Sequence, residues 1–367
     1  MGDMTASEGS TPADDTSDPI EALKPHSRWR GPLLLVLKIA LVIVGAYLVV
    51  EAVRAVDWQE VGDAIGRLNF VELIVLALLV LVRQVVNACT LPVLVPKLSL
   101  PHAISTAFSG TLIQTFTPPP ADAVLRLSML KSYGVETTRG AAALVLDTVV
   151  FYLARFVAPV IGIVIAVIVQ PVENIQIWMA IGGAAAAAVL VWAIVVISRG
   201  EQAAASVGRV AARVVRRLRP TVDPDAWAAA VIRFQKESAA GLKRKLAQAT
   251  PIMLGYILVD SLVLLAALRF VGIPGEHIGY LAIMAAMFSL YPLTIFPFAG
   301  LGVLDAAMIV LINAEGVVDS ADLIAAMVIW RAATLILPLV PGLLTLSHWR
   351  AREARKGRSN ESAEPVG

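Results

Sequence analysis

Along most of the chain, hydrophobic residues gather into long runs parted by short polar turns. The uninterrupted runs cover about 32–53, 70–95, 139–170, 176–198, 250–271 and 323–346. A helix needs about 20 apolar residues to cross the ~30 Å hydrocarbon core of a bilayer, and each run meets that length. Two more apolar stretches, 101–131 and 278–314, are interrupted. The first holds Thr115-Phe116-Thr117-Pro118-Pro119-Pro120-Ala121-Asp122-Ala123-Val124-Leu125-Arg126, with three prolines, an acid and a base. The second holds Pro297-Phe298-Ala299-Gly300-Leu301-Gly302-Val303-Leu304-Asp305. Irregular backbone at membrane depth survives only where protein buries it or it lines a cavity. Paired breaks of this kind point to a transport site.

Charge orients the spans. Lys24, His26, Arg28 and Arg30 precede the first run, with Trp29 beside them, so the N-terminus is expected in the cytoplasm. Residues 1–31 read as a disordered tail whose first 23 residues are acidic and rich in Ser, Thr, Asp and Pro, unlike a cleavable signal peptide. The 70–95 run ends inward at Lys97, and the 176–198 run ends inward at Arg199. The 139–170 run must then run outward, so 101–131 enters and leaves on the cytoplasmic side as a re-entrant hairpin with its tip at Pro118–Pro120. Loop 199–249 carries eleven bases against four acids. Its Arg209, Arg213, Arg216 and Arg217 fit either a positive-inside loop or an amphipathic helix on anionic headgroups. The loop at 315–322 is acidic and reads as external. The tail 349–367 is basic, cytoplasmic and expected to become disordered. The membrane domain is thus 32–348. Whether 278–314 forms a hairpin or two full spans stays open, because both return the chain to the same side.

Composition agrees: 58% of the 367 residues are hydrophobic and 16% charged, with a mean hydropathy of +0.77. Soluble chains carry nearer a quarter charged residues. A net charge of +2 gives no reason to expect nucleic acid. The single cysteine, Cys89, excludes an intrachain disulfide, and the four histidines (His26, His102, His277, His348) lie near span ends without ligand spacing. No metal or cofactor is expected.

The two halves resemble each other. The 70–95 run, the first hairpin and 139–170 correspond to 250–271, the second break and 323–346. Each first helix carries an acid and a base, Glu72/Arg83 and Asp260/Arg269. A Gly-Val turn follows each break, at Gly134-Val135 and Gly316-Val317. Opposite orientation of the halves makes this an inverted-topology repeat. The expected fold is an all-α polytopic membrane protein, an inverted repeat with two re-entrant, broken-helix hairpins.

These motifs resemble the membrane region of lysylphosphatidylglycerol synthetases, the flippase-like domain family. Pro118–Pro120, Asp122, Arg126, Gly134, Val135 and Asp147 match its first block. Pro297, Gly300, Gly302, Asp305, Gly316, Val317 and Arg331 match its second, over roughly 32–346 in all. The first break is Pro-Pro-Pro-Ala rather than glycine-rich, Thr148 stands where an arginine often follows the acid, and Asp305 replaces a more usual glutamate. The soluble aminoacyl-transferase domain of full synthetases is not found in the sequence. The resemblance therefore implies translocation of a lipid or lipid-linked sugar rather than lipid aminoacylation.

Ionisable groups at helix-centre depth cost a few kcal/mol and usually face a cavity or a partner. Arg83, Arg126, Asp147, Arg155, Asp260 and Arg331 qualify. Arg126, Arg331 and Arg83 are candidates to hold a phosphate, because guanidinium matches its oxygens bidentately. Half-helix N-termini at Pro119 and Leu301 would add N–H donors. Asp147 and Asp260 can pair with these arginines or titrate, and Asp305 can complement a helix dipole. Equally, these charges can form ion pairs that only fix helix register. The expected substrate-binding set is Arg126, Arg331, Arg83, Asp122, Asp147, Asp260, Pro119, Gly300, Gly302 and Asp305. Lys38, Glu51, Glu72 and Arg269 lie nearer helix ends or on the first helix, where they can snorkel.

Three functions compete. The first is a plasma-membrane flippase moving an anionic phospholipid or polyprenyl-linked lipid between leaflets. The second is a non-transporting scaffold or lipid-binding regulator using the basic loop at 199–245. The third, a membrane-embedded lipid-modifying enzyme, lacks a nucleophile–base or metal signature, so no enzyme activity is expected. A homo-oligomer is compatible with all three.

Overall fold

The computed structural model describes residues 63, 66, 68–117, 121–169, 172–197, 199–218, 223–238, 241–313 and 316–361. The expected first span at 32–53, the N-terminal tail and the hairpin tip Pro118–Pro120 lie outside them. Among the described residues every regular element is a helix. Five stretches are long and apolar enough to cross a membrane: Phe70–Leu94, Thr137–Val169, Asn174–Ile197, Leu242–Val271 and Ser320–Arg355. They coincide with five of the expected runs, and the chain is an all-α, multi-pass membrane protein.

Helix α1 (Phe70–Ala88) starts at a capping box. The Asn69 side chain accepts from Glu72 N at 3.0 Å, and Glu72 accepts from Asn69 N at 2.8 Å. Glu72 thus satisfies a helix-end donor instead of snorkelling. The short α2 (Thr90–Leu94) continues α1, and Lys97 turns the chain at φ 73°. Helices α3 (Leu100–Phe116) and α4 (Ala121–Ser132) flank the first break. Helix α5 (Thr137–Val169) then leads to α6 (Asn174–Ile197).

The stretch read as either a positive-inside loop or an amphipathic helix is a helical hairpin, α7 (Glu201–Leu218) and α8 (Pro224–Ser238). An apolar stripe of α7, including Ala204, Ala205 and Ala212, is buried, and Gly208 lies against the Ala228 backbone of α8. That stripe faces protein, while Arg209 and Arg213 stay exposed. Helix α9 (Leu242–Val271) starts well before the expected residue 250. Hydropathy sees only the apolar part of a helix; Lys243, Arg244 and Lys245 form its polar first turns.

The second break separates α10 (Tyr280–Leu290) from α12 (Val303–Ile312) through a 3₁₀ turn, Tyr291–Ile295, and the one-turn α11 (Pro297–Gly300). At ~1.5 Å per residue, neither α10 nor α12 reaches across ~30 Å of hydrocarbon. Helix α13 (Ser320–Ile336) is offset from α14 (Leu339–Glu361) at Leu337–Pro338, where Pro338 and Pro341 have no N–H to give. Against expectation, helix α14 extends through the basic tail to Glu361, because charged residues with good helix propensity continue a helix already nucleated in the membrane.

The packing has an exchange pattern. α1 packs on α9; α5 packs on α10 as α14 packs on α3; α4 packs on α5 as α12 packs on α13; and α1 contacts α3 as α9 contacts α10. Both long contacts close on a glycine. A Cβ on Gly162 of α5 would meet Ser289 N of α10 at 2.5 Å, and one on Gly342 of α14 would meet Phe108 O of α3 at 2.8 Å. The outer faces are apolar, with Ile168, Val310 and Trp178 exposed, while Gln84, Thr106, Ser109, Asp260 and Arg331 are buried. This is the distribution expected when the solvent is lipid.

Two substitutions test the close contact. Gly162→Ala should lower the thermal midpoint in detergent, by about 1–3 kcal/mol in stability. Gly182→Ala, where nothing lies within 4 Å of the added Cβ, should leave the midpoint unchanged or raise it by up to ~1 kcal/mol through helix propensity.

Candidate functional site

Six of the ten residues expected to bind substrate occur as three arginine–aspartate pairs. Arg126 Nη2 on α4 lies 2.6 Å from Asp147 Oδ2 on α5. Its side chain crosses α3 at Gly110, where an added Cβ would stand 2.9 Å from Arg126 Cδ. Thr90 Oγ1 on α2 donates to Asp147 Oδ1 at 2.7 Å, with Asn87 O a second acceptor at 2.9 Å. The first break is therefore tied to two other elements through one carboxylate.

The second pair has the same form with its charges exchanged. Asp305 sits in the first turn of α12, beyond the break, and its Oδ1 accepts from Arg331 Nε on α13 at 2.7 Å. Asp305 Oδ2 caps Gly302 N at 2.8 Å, and Arg331 Nη1 donates to Ala299 O at 3.3 Å. The break itself needs left-handed backbone at Ala299 (φ 57°), Gly300 (φ 73°) and Gly302 (φ 81°). Gly300 also has Leu293 O at 2.5 Å from where a Cβ would sit, so no side chain fits there. Asp305 thus both caps the helix and holds Arg331.

The third pair joins the two halves. Arg83 Nε on α1 lies 2.9 Å from Asp260 Oδ1 on α9, and Nη2 donates to Oδ2 at 3.4 Å. Trp330 Nε1 adds a hydrogen bond to Asp260 Oδ1 at 3.2 Å. Since Trp330 precedes Arg331, the second and third pairs are adjacent on α13. Arg83 also stacks over the Tyr256 ring at 4.3 Å.

The remaining expected residues fall at the breaks. Gly300 and Gly302 shape the second one, Asp122 lies half-buried in the first turn of α4, and Pro119 lies outside the described residues. Arg269 is not a snorkelling cation: it donates to Ile273 O at 2.8 Å and Ile278 O at 2.6 Å, closing the end of α9. Arg155, on α5, is buried with its guanidinium 3.7 Å from the Phe151 ring centroid and 5.7 Å from that of Tyr291. Sequence reasoning missed Thr90, Trp330 and the Ala299 carbonyl. Of these, only Trp330 carried a signal, its place beside a mid-span arginine. Among the described residues no three His, Cys, Asp or Glu side chains gather as a metal site requires.

The family model described as the lysylphosphatidylglycerol synthase TM region matches residues 35–342. The chain belongs to this family. It is an integral membrane protein of a lipid-handling family, and the matched residues include both breaks and all three ion pairs of this chain. No curated protein matches the chain.

Mutual neutralisation of Arg126 and Asp147 has a testable signature. Asp147→Asn or Arg126→Gln alone should destabilise the fold by about 3 kcal/mol, because each leaves a charge in a low-dielectric site. Arg126→Met combined with Asp147→Leu should recover most of that loss in thermal unfolding. A double variant no more stable than the weaker single would show that the pair does more than neutralise itself.

Proposed function

We propose that this protein moves an anionic lipid, or a lipid-linked sugar, between leaflets of the plasma membrane. The observation that carries the reading is the exchange-related packing around two broken helices. α5 on α10 matches α14 on α3, and Arg126–Asp147 matches Asp305–Arg331 with the charges swapped. An inverted repeat of this kind supplies two near-equivalent arrangements about one mid-depth site, which is what alternating access requires. The short arms α3/α4 and α10/α12 suit re-entrant hairpins entering from opposite sides. Both termini then lie in the cytoplasm, and the exposed Arg209 and Arg213 of the α7–α8 hairpin face anionic headgroups.

The three ion pairs also fit a rigid lipid-binding scaffold, since each guanidinium thought free for a phosphate has a carboxylate of its own. Transport separates the readings. Purified protein in liposomes containing a fluorescent anionic phospholipid should expose inner-leaflet probe to a membrane-impermeant quencher faster than protein-free liposomes do. The lipid should be recovered chemically unchanged by mass spectrometry. No acceleration with either a phospholipid or a polyprenyl-phosphate sugar would remove the transport reading and leave the scaffold. A mass change in the lipid would turn the protein into an enzyme.

A further inference from the structure

Every mid-span arginine discussed above has an aspartate beside it, except one. Arg155 lies near the middle of α5 and only 8% of its surface is exposed. Among the described residues no carboxylate lies within ion-pair range of it. Its Nε is buried without a hydrogen-bond partner. The side chains its guanidinium faces are rings: Phe151 on its own helix, with the centroid at 3.7 Å, and Tyr291 in the 3₁₀ turn, with the centroid at 5.7 Å. Arg83, by contrast, stacks on Tyr256 and has Asp260 beside it. Arg155 is thus a buried cation with no anion of its own among the described residues.

Guanidinium has five donors and no acceptor, and a phenol gives one donor and a neutral acceptor oxygen but no negative charge. A buried cluster of this make-up is short of negative charge. Packing against Phe151 and Tyr291 offsets part of the charge but gives the N–H groups nothing to bond. The C-terminal end of α10, which Tyr291 caps, offers only partial negative charge, and Arg155 makes no hydrogen bond to its carbonyls. The repeated frame does not account for this arginine either. In the α13–α14 stretch that corresponds to this part of α5, no charged residue occurs between Arg331 and His348.

We propose that Arg155, with the hydroxyl of Tyr291, binds an oxyanion of the phosphate or phosphodiester class at mid-depth, beside the second break. The site deepens the transport reading and rests on it for its role, because it names the group held while a headgroup crosses. Arg126 and Arg331 are then frame residues, and the cation left for a substrate is the one without an acid. The anion can belong to a lipid headgroup or to free phosphate, since the same donors read both.

The test is thermal unfolding of the full chain in a neutral detergent, alone, with phosphatidylglycerol, with phosphatidylcholine and with inorganic phosphate. The wild-type midpoint should rise with phosphatidylglycerol and not with phosphatidylcholine. Arg155→Met should have a midpoint without anion equal to or above that of wild type, since it removes an uncompensated buried charge, and should weaken the anion effect at least tenfold in concentration. A structural arginine would behave oppositely, with a lower midpoint and an unchanged lipid effect, and that result overturns the proposal. Arg155→Lys keeps the charge without the bidentate fork. If the Met variant does not fold, a lysine variant with a normal midpoint and a weakened anion effect supports the site, and an unchanged anion effect overturns it. A response to inorganic phosphate but not to phosphatidylglycerol assigns the site to a soluble oxyanion. A response to neither overturns it. Lipid binding through Arg155 without leaflet exchange would keep the site and remove transport; exchange and binding that survive Arg155→Met would keep transport and remove the site.

Discussion

Charge is expensive in hydrocarbon, and the described part of this molecule is arranged around making it affordable. A lone arginine or aspartate at mid-span costs about 2.5–3.5 kcal/mol by insertion scales. The chain nonetheless places Arg83, Arg126, Asp147, Asp260, Asp305 and Arg331 within spans or breaks, and each finds an oppositely charged partner on another helix. Because every pair joins two helices, the same electrostatic need fixes which helices are neighbours. Arg83–Asp260 clamps the halves together through α1 and α9, and the other two pairs bind each break to the span that follows it.

The breaks depend on those pairs in turn. A helix that stops in the membrane leaves backbone groups that water cannot satisfy. At the second break the answer is local and visible: Asp305 takes the Gly302 N–H, and Arg331 takes the Ala299 carbonyl. The left-handed residues between them are tolerated because Gly300 has no side chain to collide with Leu293 O. Close packing does the rest. Gly162 and Gly342 let α5 and α14 approach the arms α10 and α3 nearly backbone to backbone, which is how helices associate when lipid provides no hydrophobic drive.

Arg155 stands outside this scheme. It faces the Phe151 and Tyr291 rings and no carboxylate, so it is a candidate for an interaction that the protein's own described groups do not complete. The contrast between three neutral pairs and one uncompensated cation separates the structural use of arginine from its proposed use in binding.

The sequence by itself determined the solvent, and through it most of the architecture. Runs of about twenty apolar residues can only be helices across a bilayer, so the five described spans, the two breaks and the family were legible from hydropathy and from residues such as Pro297, Gly300, Asp305 and Arg331. Helix α7 was one of two readings that the arginine spacing allowed; its partner α8, the early start of α9 and the extension of α14 were not legible, because a polar helix outside the membrane leaves no apolar run. The partners of the charged residues were decided by the tertiary structure alone. Arg126 and Asp147, or Arg83 and Asp260, are far apart along the chain, and nothing in their spacing says which acid meets which base. That is settled only when glycines bring particular helix faces together, and the same packing leaves Arg155 facing rings instead of a carboxylate.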